Sequence, residues 1–106
     1  MSQKLLERDF ETALQTSEIP MVLDFYADWC MPCRMQAPQF QQAEAALQGR
    51  AAFYKVDIDE MPALAARFGV MSIPTIVALH GGQVRWKSVG VTGKDEIVAA
   101  VQKILK

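Results

Sequence analysis

The chain has 106 residues, of which 51% are hydrophobic and 22% charged, and its formal net charge is −1. This length fits one domain, residues 1–106, and the apolar fraction excludes a disordered chain. The balanced charge provides no electrostatic surface for nucleic acid or an anionic membrane. The longest apolar run, residues 21–27, is too short to cross a bilayer, and no secretory signal pattern opens the sequence. We therefore expect a cytoplasmic protein, in a compartment where structural disulfides are rare.

Hydrophobic periodicity predicts helices and strands in the order α-β-α-β-α-β-β-α. In chain order these are a helix marked by Leu6, Phe10, Ala13 and Leu14, a strand at 21–27, a helix from about 33 to 47, a strand at 51–57, a short helix at 61–68, strands at 74–79 and 84–89, and a helix from about 92. Asp59 is the expected N-cap of the short helix, and Gly81-Gly82 the expected hairpin turn. The alternating first part favours parallel strands, and the hairpin adds an antiparallel edge. The sequence therefore predicts an α/β protein with a mixed central sheet between helices.

The two cysteines, Cys30 and Cys33, follow the first predicted strand and open a helix. The first N–H groups of a helix lack intrahelical partners and favour negative charge, so a thiol there is stabilised as the thiolate, the attacking species. Pro32 suits the first helical turn. This placement favours thiol–disulfide exchange.

Helical spacing distinguishes the two thiols. Cys33 is in phase with Ala37, Phe40, Ala43 and Leu47, so it is predicted to face the core and to have the higher thiol pKa. Cys30 is predicted to meet solvent or substrate at the helix start. The pattern therefore indicates an exposed attacking thiol and a buried resolving thiol. The glutamines at 39, 41 and 42 are interpreted as a solvated helix face.

A structural zinc site or a shared iron–sulfur site is the alternative for such a cysteine pair. A zinc site normally needs four ligands, and only His80 remains among the usual Cys and His ligands, so no metal site is predicted.

Asp24 lies inside a strongly apolar strand, where a carboxylate is costly unless it is paired or protonated. A buried acid with a raised pKa is suited to accept the proton of Cys33. Lys55, on the next strand, is its expected neighbour. A purely structural ion pair of Asp24 and Lys55 is the alternative interpretation.

Residues 22–38, VLDFYADWCMPCRMQAP, resemble the active-site segment of the thioredoxin family. The similarity continues through Lys55-Val56-Asp57, Gly69-Val70, Ile73-Pro74-Thr75, Gly82 and Val89-Gly90, and so extends over essentially the whole chain. The resemblance implies a thioredoxin fold, with a mixed sheet of four or five strands and about four flanking helices.

The same resemblance implies further features of the site. The Ile73–Pro74 bond is expected to be cis, with Pro74 beside the disulfide and the backbone of Ile73 pairing with a bound substrate chain. The candidate substrate-binding residues, on loops near the cysteines, are Trp29, Met31, Pro32, Met71, Ile73, Gly90 and Val91. The sequence departs from the usual family pattern at Met31, where the family usually has Gly, and at Tyr26 and Ser72. Met31 places an adaptable apolar side chain beside the nucleophile, which puts substrate range and redox potential in question.

The sequence therefore predicts a monomeric thiol–disulfide oxidoreductase that reduces protein disulfides through a redox-active Cys30–Cys33 disulfide, with no bound cofactor. The resemblance implies recharging by an NADPH-dependent thioredoxin reductase. A disulfide oxidase or isomerase, or a binding module in which the redox activity is dispensable, are the alternatives.

Overall fold

The computed structural model describes residues 3–4 and 7–106. Its elements, in chain order, are β1 (Gln3–Lys4), α1 (Glu7–Thr16), β2 (Met21–Tyr26), α2 (Met31–Ala46), β3 (Ala52–Asp57), α3 (Pro62–Arg67), β4 (Thr75–His80), β5 (Gln83–Val89) and α4 (Lys94–Leu105). The predicted order is confirmed from α1 to α4, although Leu6 of the first helical pattern lies outside the described residues.

The described strands form a five-stranded mixed sheet in the order β1-β3-β2-β4-β5. β2 and β3 are parallel, as the intervening helix predicts, whereas β4 runs antiparallel to both β2 and β5. The sequence pattern missed β1, because two residues are too few to show an alternation. This strand pairs in parallel with β3.

β2 has helices on both sides, and its alternate residues enter two different cores. Met21, Leu23 and Phe25 pack with residues of α1 and α3, while Val22 packs with residues of α2 and α4. Because successive side chains of a strand point to opposite faces, Asp24 lies on the same face as Val22, toward α2 and α4. The carboxylate is therefore directed to the layer that carries the cysteines.

The predicted hairpin turn is confirmed at Gly81 and Gly82, which have φ values of +62° and +78°. Positive φ at both central residues is the geometry of a two-residue type I′ turn, which glycine adopts without steric cost. Asp59, in contrast, does not cap α3. Met61 occupies that N-cap position without a side-chain hydrogen bond, and α3 begins with a proline, whose missing N–H reduces the need for a cap.

Candidate active site

A disulfide joins Cys30 and Cys33 at the N-terminus of α2, with 5.3 Å between their Cα atoms. Cys30 is the N-cap residue, with an extended backbone conformation, and Pro32 lies in the first turn. The backbone N–H of Cys33 donates to Cys30 Sγ at 3.3 Å. This donor and the helix dipole both stabilise negative charge on the Cys30 sulfur. The predicted placement of the pair at a helix start is confirmed.

The prediction that Cys33 is buried is confirmed, whereas the prediction that Cys30 is exposed is wrong for the disulfide form. The two residues are 4% and 5% exposed. Cys30 is covered because it packs in a small cluster with Ala27 and Cys33, against which Ile73 also packs. The sulfurs therefore differ in their polar surroundings rather than in burial: the first helical turn presents an N–H to Cys30.

Asp24 is fully buried, and neither of its carboxylate oxygens accepts a hydrogen bond from any described residue. Burial raises the pKa of Asp24 from 3.8 to about 7, although the positive charge of Lys55 opposes this change. The carboxyl group therefore gains and loses its proton near neutral pH, as expected of a proton acceptor.

Lys55 is the direct neighbour of Asp24 in the parallel pairing of β2 and β3, as predicted. The alternative of a structural ion pair with Asp24 is not what the structure shows. Lys55 Nζ instead lies 4.2 Å from the centroid of the Tyr26 ring, a cation–π distance. Lys55 therefore acts on Asp24 through its electric field, without a direct bond.

The loop before β4 and the loop after β5 meet beside the disulfide. The Ile73–Pro74 bond is cis, as the resemblance implied, and the carbonyl oxygen of Ile73 lies 3.9 Å from Cys30 Sγ. The N–H of Gly90 donates to the carbonyl oxygen of Pro74 at 2.9 Å. Gly90 has a φ of +92°, a conformation that other residues rarely adopt. Cys30, Ile73, Pro74 and Gly90 therefore form one connected region.

Apolar side chains project to solvent from these two loops and from the start of α2. Trp29, Met31, Pro32 and Val91 are exposed, and Met71 is 97% exposed. Ile73, in contrast, is half-buried against the core. The predicted substrate-binding residues therefore include exposed side chains and the half-buried Ile73.

Three polar residues near the site were not predicted as functional. Asp59 Oδ2 accepts a hydrogen bond from Trp29 Nε1 at 2.8 Å, and Asp57 Oδ1 accepts one from the Asp59 N–H at 2.9 Å. Gln36 is fully buried on α2 and bonds twice to the backbone of Thr92. Its position three residues after the inward Cys33 was the signal that could have identified it.

The interpretation of the glutamines at 39, 41 and 42 as a solvated helix face is wrong for Gln39. Gln41 and Gln42 are exposed, but Gln39 Oε1 accepts a hydrogen bond from the backbone N–H of Lys94 at 2.8 Å.

In the described part of the chain, no group of three or more His, Cys, Asp or Glu side chains is arranged to hold a metal ion. Across the same residues, no helix has the length and apolarity that crossing a membrane would take.

Known proteins are similar to this chain in sequence and in fold. Residues 2–103 match the Thioredoxin family model. Thioredoxin 1 of Chlorobaculum tepidum is 36% identical over 100 residues, covering 94% of this chain and 99% of that protein. The mitochondrial thioredoxin of Bos taurus is 36% identical over 97 residues, covering 92% of this chain and 58% of that protein. Among solved structures, chloroplastic thioredoxin z superposes with a TM-score of 0.87 at 27% identity, covering 97% of this chain and 93% of that chain.

The cysteine pair at the start of α2 and these similarities define a thiol–disulfide oxidoreductase, and more narrowly a protein-disulfide reductase. The chain belongs to the thioredoxin family.

Proposed function

We propose that Cys30 is the nucleophile and Cys33 the resolving thiol of a protein-disulfide reduction cycle. The Cys30 thiolate attacks one sulfur of the substrate disulfide, whose S–S bond breaks as a mixed disulfide forms and a substrate thiolate leaves. The Cys33 thiolate then attacks Cys30, closing the Cys30–Cys33 disulfide and releasing the second substrate thiol. Two electrons pass to the substrate. The observation that carries this order is the N–H of Cys33 donating to Cys30 Sγ, because it stabilises the Cys30 thiolate.

We propose that Asp24 accepts the proton of Cys33 in the second step. Its carboxyl group lies on the face of β2 toward α2, has a pKa near neutrality and has no hydrogen-bond partner among the described residues. An unpartnered base with such a pKa is suited to accept a thiol proton and return it later. Lys55 favours the ionised form of Asp24.

Substrate docking involves side chains and backbone groups of three loops. The cis Ile73–Pro74 segment holds the Ile73 backbone beside Cys30, where an extended substrate chain can pair with it. The remaining contacts in this proposal come from Trp29, Met31, Pro32, Met71, Gly90 and Val91. Because methionine side chains are flexible and polarizable, Met31 and Met71 suit apolar partners of varied shape.

We further propose that the protein is a monomeric electron carrier of the cytoplasm, recharged by an NADPH-dependent thioredoxin reductase. Its redox group is the Cys30–Cys33 pair itself, without a bound cofactor. The relatives include a thioredoxin of Chlorobaculum tepidum and a mitochondrial thioredoxin, so proteins similar to this chain occur both in bacteria and in an organelle.

Insulin reduction with NADPH and a thioredoxin reductase tests the cycle. Wild-type protein is expected to turn over. Cys30→Ser should be inactive, and Cys33→Ser should accumulate a mixed disulfide with insulin, detectable by non-reducing electrophoresis. Gln41→Ser, an exposed change on the same helix, is the matched control. Mixed disulfide on Cys33 in the Cys30→Ser variant, at the rate seen for Cys33→Ser, would reverse the two roles.

The Asp24 role has a separate test. Asp24→Asn is expected to slow release of substrate from a preformed mixed disulfide at pH 7, while attack by Cys30 continues. Equal release rates in wild type and Asp24→Asn would contradict the proton-transfer role of Asp24.

Measuring the Cys30–Cys33 reduction potential distinguishes a reductant from an oxidase or isomerase, because only an oxidant has a potential well above that of the cytosolic glutathione pool.

A further inference from the structure

Gln36 connects the cysteine helix to the loop that follows β5. Its side-chain Nε2 donates to the carbonyl oxygen of Thr92 at 2.9 Å, and the N–H of Thr92 donates to Gln36 Oε1 at 2.7 Å. Gln36 is fully buried and Thr92 is 3% exposed. The carboxamide therefore satisfies both backbone polar groups of one buried residue, which water does not reach.

Thr92 also hydrogen-bonds to other residues of β5 and of the loop that follows it. Its hydroxyl donates to the carbonyl oxygen of Gly90 at 3.1 Å and lies 2.8 Å from the Ser88 hydroxyl. Gly90 in turn donates its N–H to Pro74. One run of hydrogen bonds thus leads from α2 through Thr92 and Gly90 to the cis-proline loop beside Cys30.

Gln39 provides a natural comparison on the same helix. It lies three residues after Gln36, and its Oε1 accepts the N–H of Lys94, the first residue of α4. Because Gly93, the N-cap residue of α4, has no side chain to cap the helix, Gln39 serves the helix start. Of these two glutamines, only Gln36 hydrogen-bonds to Thr92, the residue that directly follows Gly90 and Val91.

We propose that Gln36 is a positioning residue for substrate docking: its carboxamide fixes the Gly90–Val91 loop relative to Cys30, so that a protein chain bound there presents its disulfide to the nucleophile. An apolar residue at position 36 would leave the N–H and C=O of Thr92 unpaired in the interior, and the loop would shift to hydrate them. This inference rests on the proposed docking role of Gly90 and Val91. It names a determinant of reactivity toward large substrates, separate from the thiol chemistry.

The test compares Gln36→Met, which keeps side-chain length, with Gln39→Met as the matched control. Pre-reduced proteins are mixed in single turnover with insulin and with the small aromatic disulfide 5,5′-dithiobis(2-nitrobenzoate), which reaches the thiols without spanning the loop. For Gln36→Met we expect the half-saturating insulin concentration to rise about tenfold, a moderate loss because the shifted loop hydrates the N–H and C=O of Thr92 again, with the maximal rate within about twofold. The rate with the small disulfide should match wild type. Gln39→Met should match wild type with both substrates.

Amide hydrogen exchange gives a readout independent of activity. Exchange at Thr92 should accelerate in Gln36→Met and not in Gln39→Met, where the change should appear at Lys94 instead. If Gln36→Met does not fold, Gln36→Asn replaces it, because it keeps the amide donor and acceptor on a side chain one methylene shorter and should weaken insulin binding to a smaller degree.

Three results would overturn the proposal: an unchanged insulin concentration dependence in Gln36→Met, an equal loss toward both substrates, or the same insulin defect in Gln39→Met. A wild-type protein that reduces neither disulfide would instead refute the proposed function itself.

Discussion

Replacing Asp24 with alanine is expected to stabilise the protein at alkaline pH and to reduce the dependence of its stability on pH. The Asp24 pKa is about 7 in the folded chain, whereas 3.8 is the ordinary value that applies when the chain unfolds. At about 1.4 kcal/mol per pKa unit, the difference between these two pKa values means that the buried carboxylate costs about 4 kcal/mol of folding free energy once it is fully ionised.

The direction follows from proton binding. Between these two pKa values the folded state holds a proton on Asp24 that the unfolded state has lost, so stability falls as pH rises. The contribution of protonated Asp24 is complete below about pH 4 and lost above about pH 7. Linkage predicts that wild type loses about 2.5 kcal/mol relative to Asp24→Ala between pH 5 and pH 8. The small cavity left by the substitution costs about 1–2 kcal/mol at every pH, so the variant should be the more stable protein above about pH 5 to 6, by about 2–3 kcal/mol at pH 8.

Urea unfolding of the oxidised proteins at several pH values between 5 and 8 measures this difference. Asp28→Asn is the matched control, because Asp28 is an exposed carboxylate two residues beyond the end of β2. Its pH profile should run parallel to that of wild type. If the Asp24→Ala profile also runs parallel to wild type, the burial argument for the Asp24 pKa is refuted.

Three further substitutions test other contacts of the site. Lys55→Met should raise the pKa of Asp24, because the attraction of the Lys55 ammonium for the carboxylate is lost. The ¹³C chemical shift of the Asp24 carboxyl group, followed against pH, should show a titration midpoint higher than in wild type. A lower midpoint would contradict the proposed field effect of Lys55. Trp29→Phe removes an exposed indole hydrogen bond and should cost no more than about 1 kcal/mol in urea unfolding, so a loss above about 2 kcal/mol would assign Trp29 a larger role in the fold. Met31→Gln should weaken insulin binding by about two- to fivefold through lost apolar contact, as measured by single-turnover reduction. Met35→Gln, one turn further along α2, is the control. An equal effect of the two substitutions would argue against a specific contact at Met31.

Local sequence predicted most of the fold, because its signals act over a few residues. The apolar run at β2, the two glycines of the hairpin and the phasing of Phe40 and Ala43 each follow from strand or helix periodicity. β1 was missed because it forms only through its pairing with β3. The same limit applies to Asp59, whose partner Trp29 lies 30 positions earlier in the chain.

For the candidate site, sequence by itself determined the chemistry: two thiols at a helix start, a carboxyl group inside a strand and a proline at the entrance to β4. These features depend on residue type and on the backbone immediately around it. Only the tertiary structure decided the environment of these groups. It buried Cys30 as deeply as Cys33, directed Lys55 to the Tyr26 ring instead of into an ion pair, and joined Gln36 to Thr92 across 56 positions. Burial and hydrogen bonding between distant segments depend on how the sheet and helices pack, and no local pattern encodes that packing.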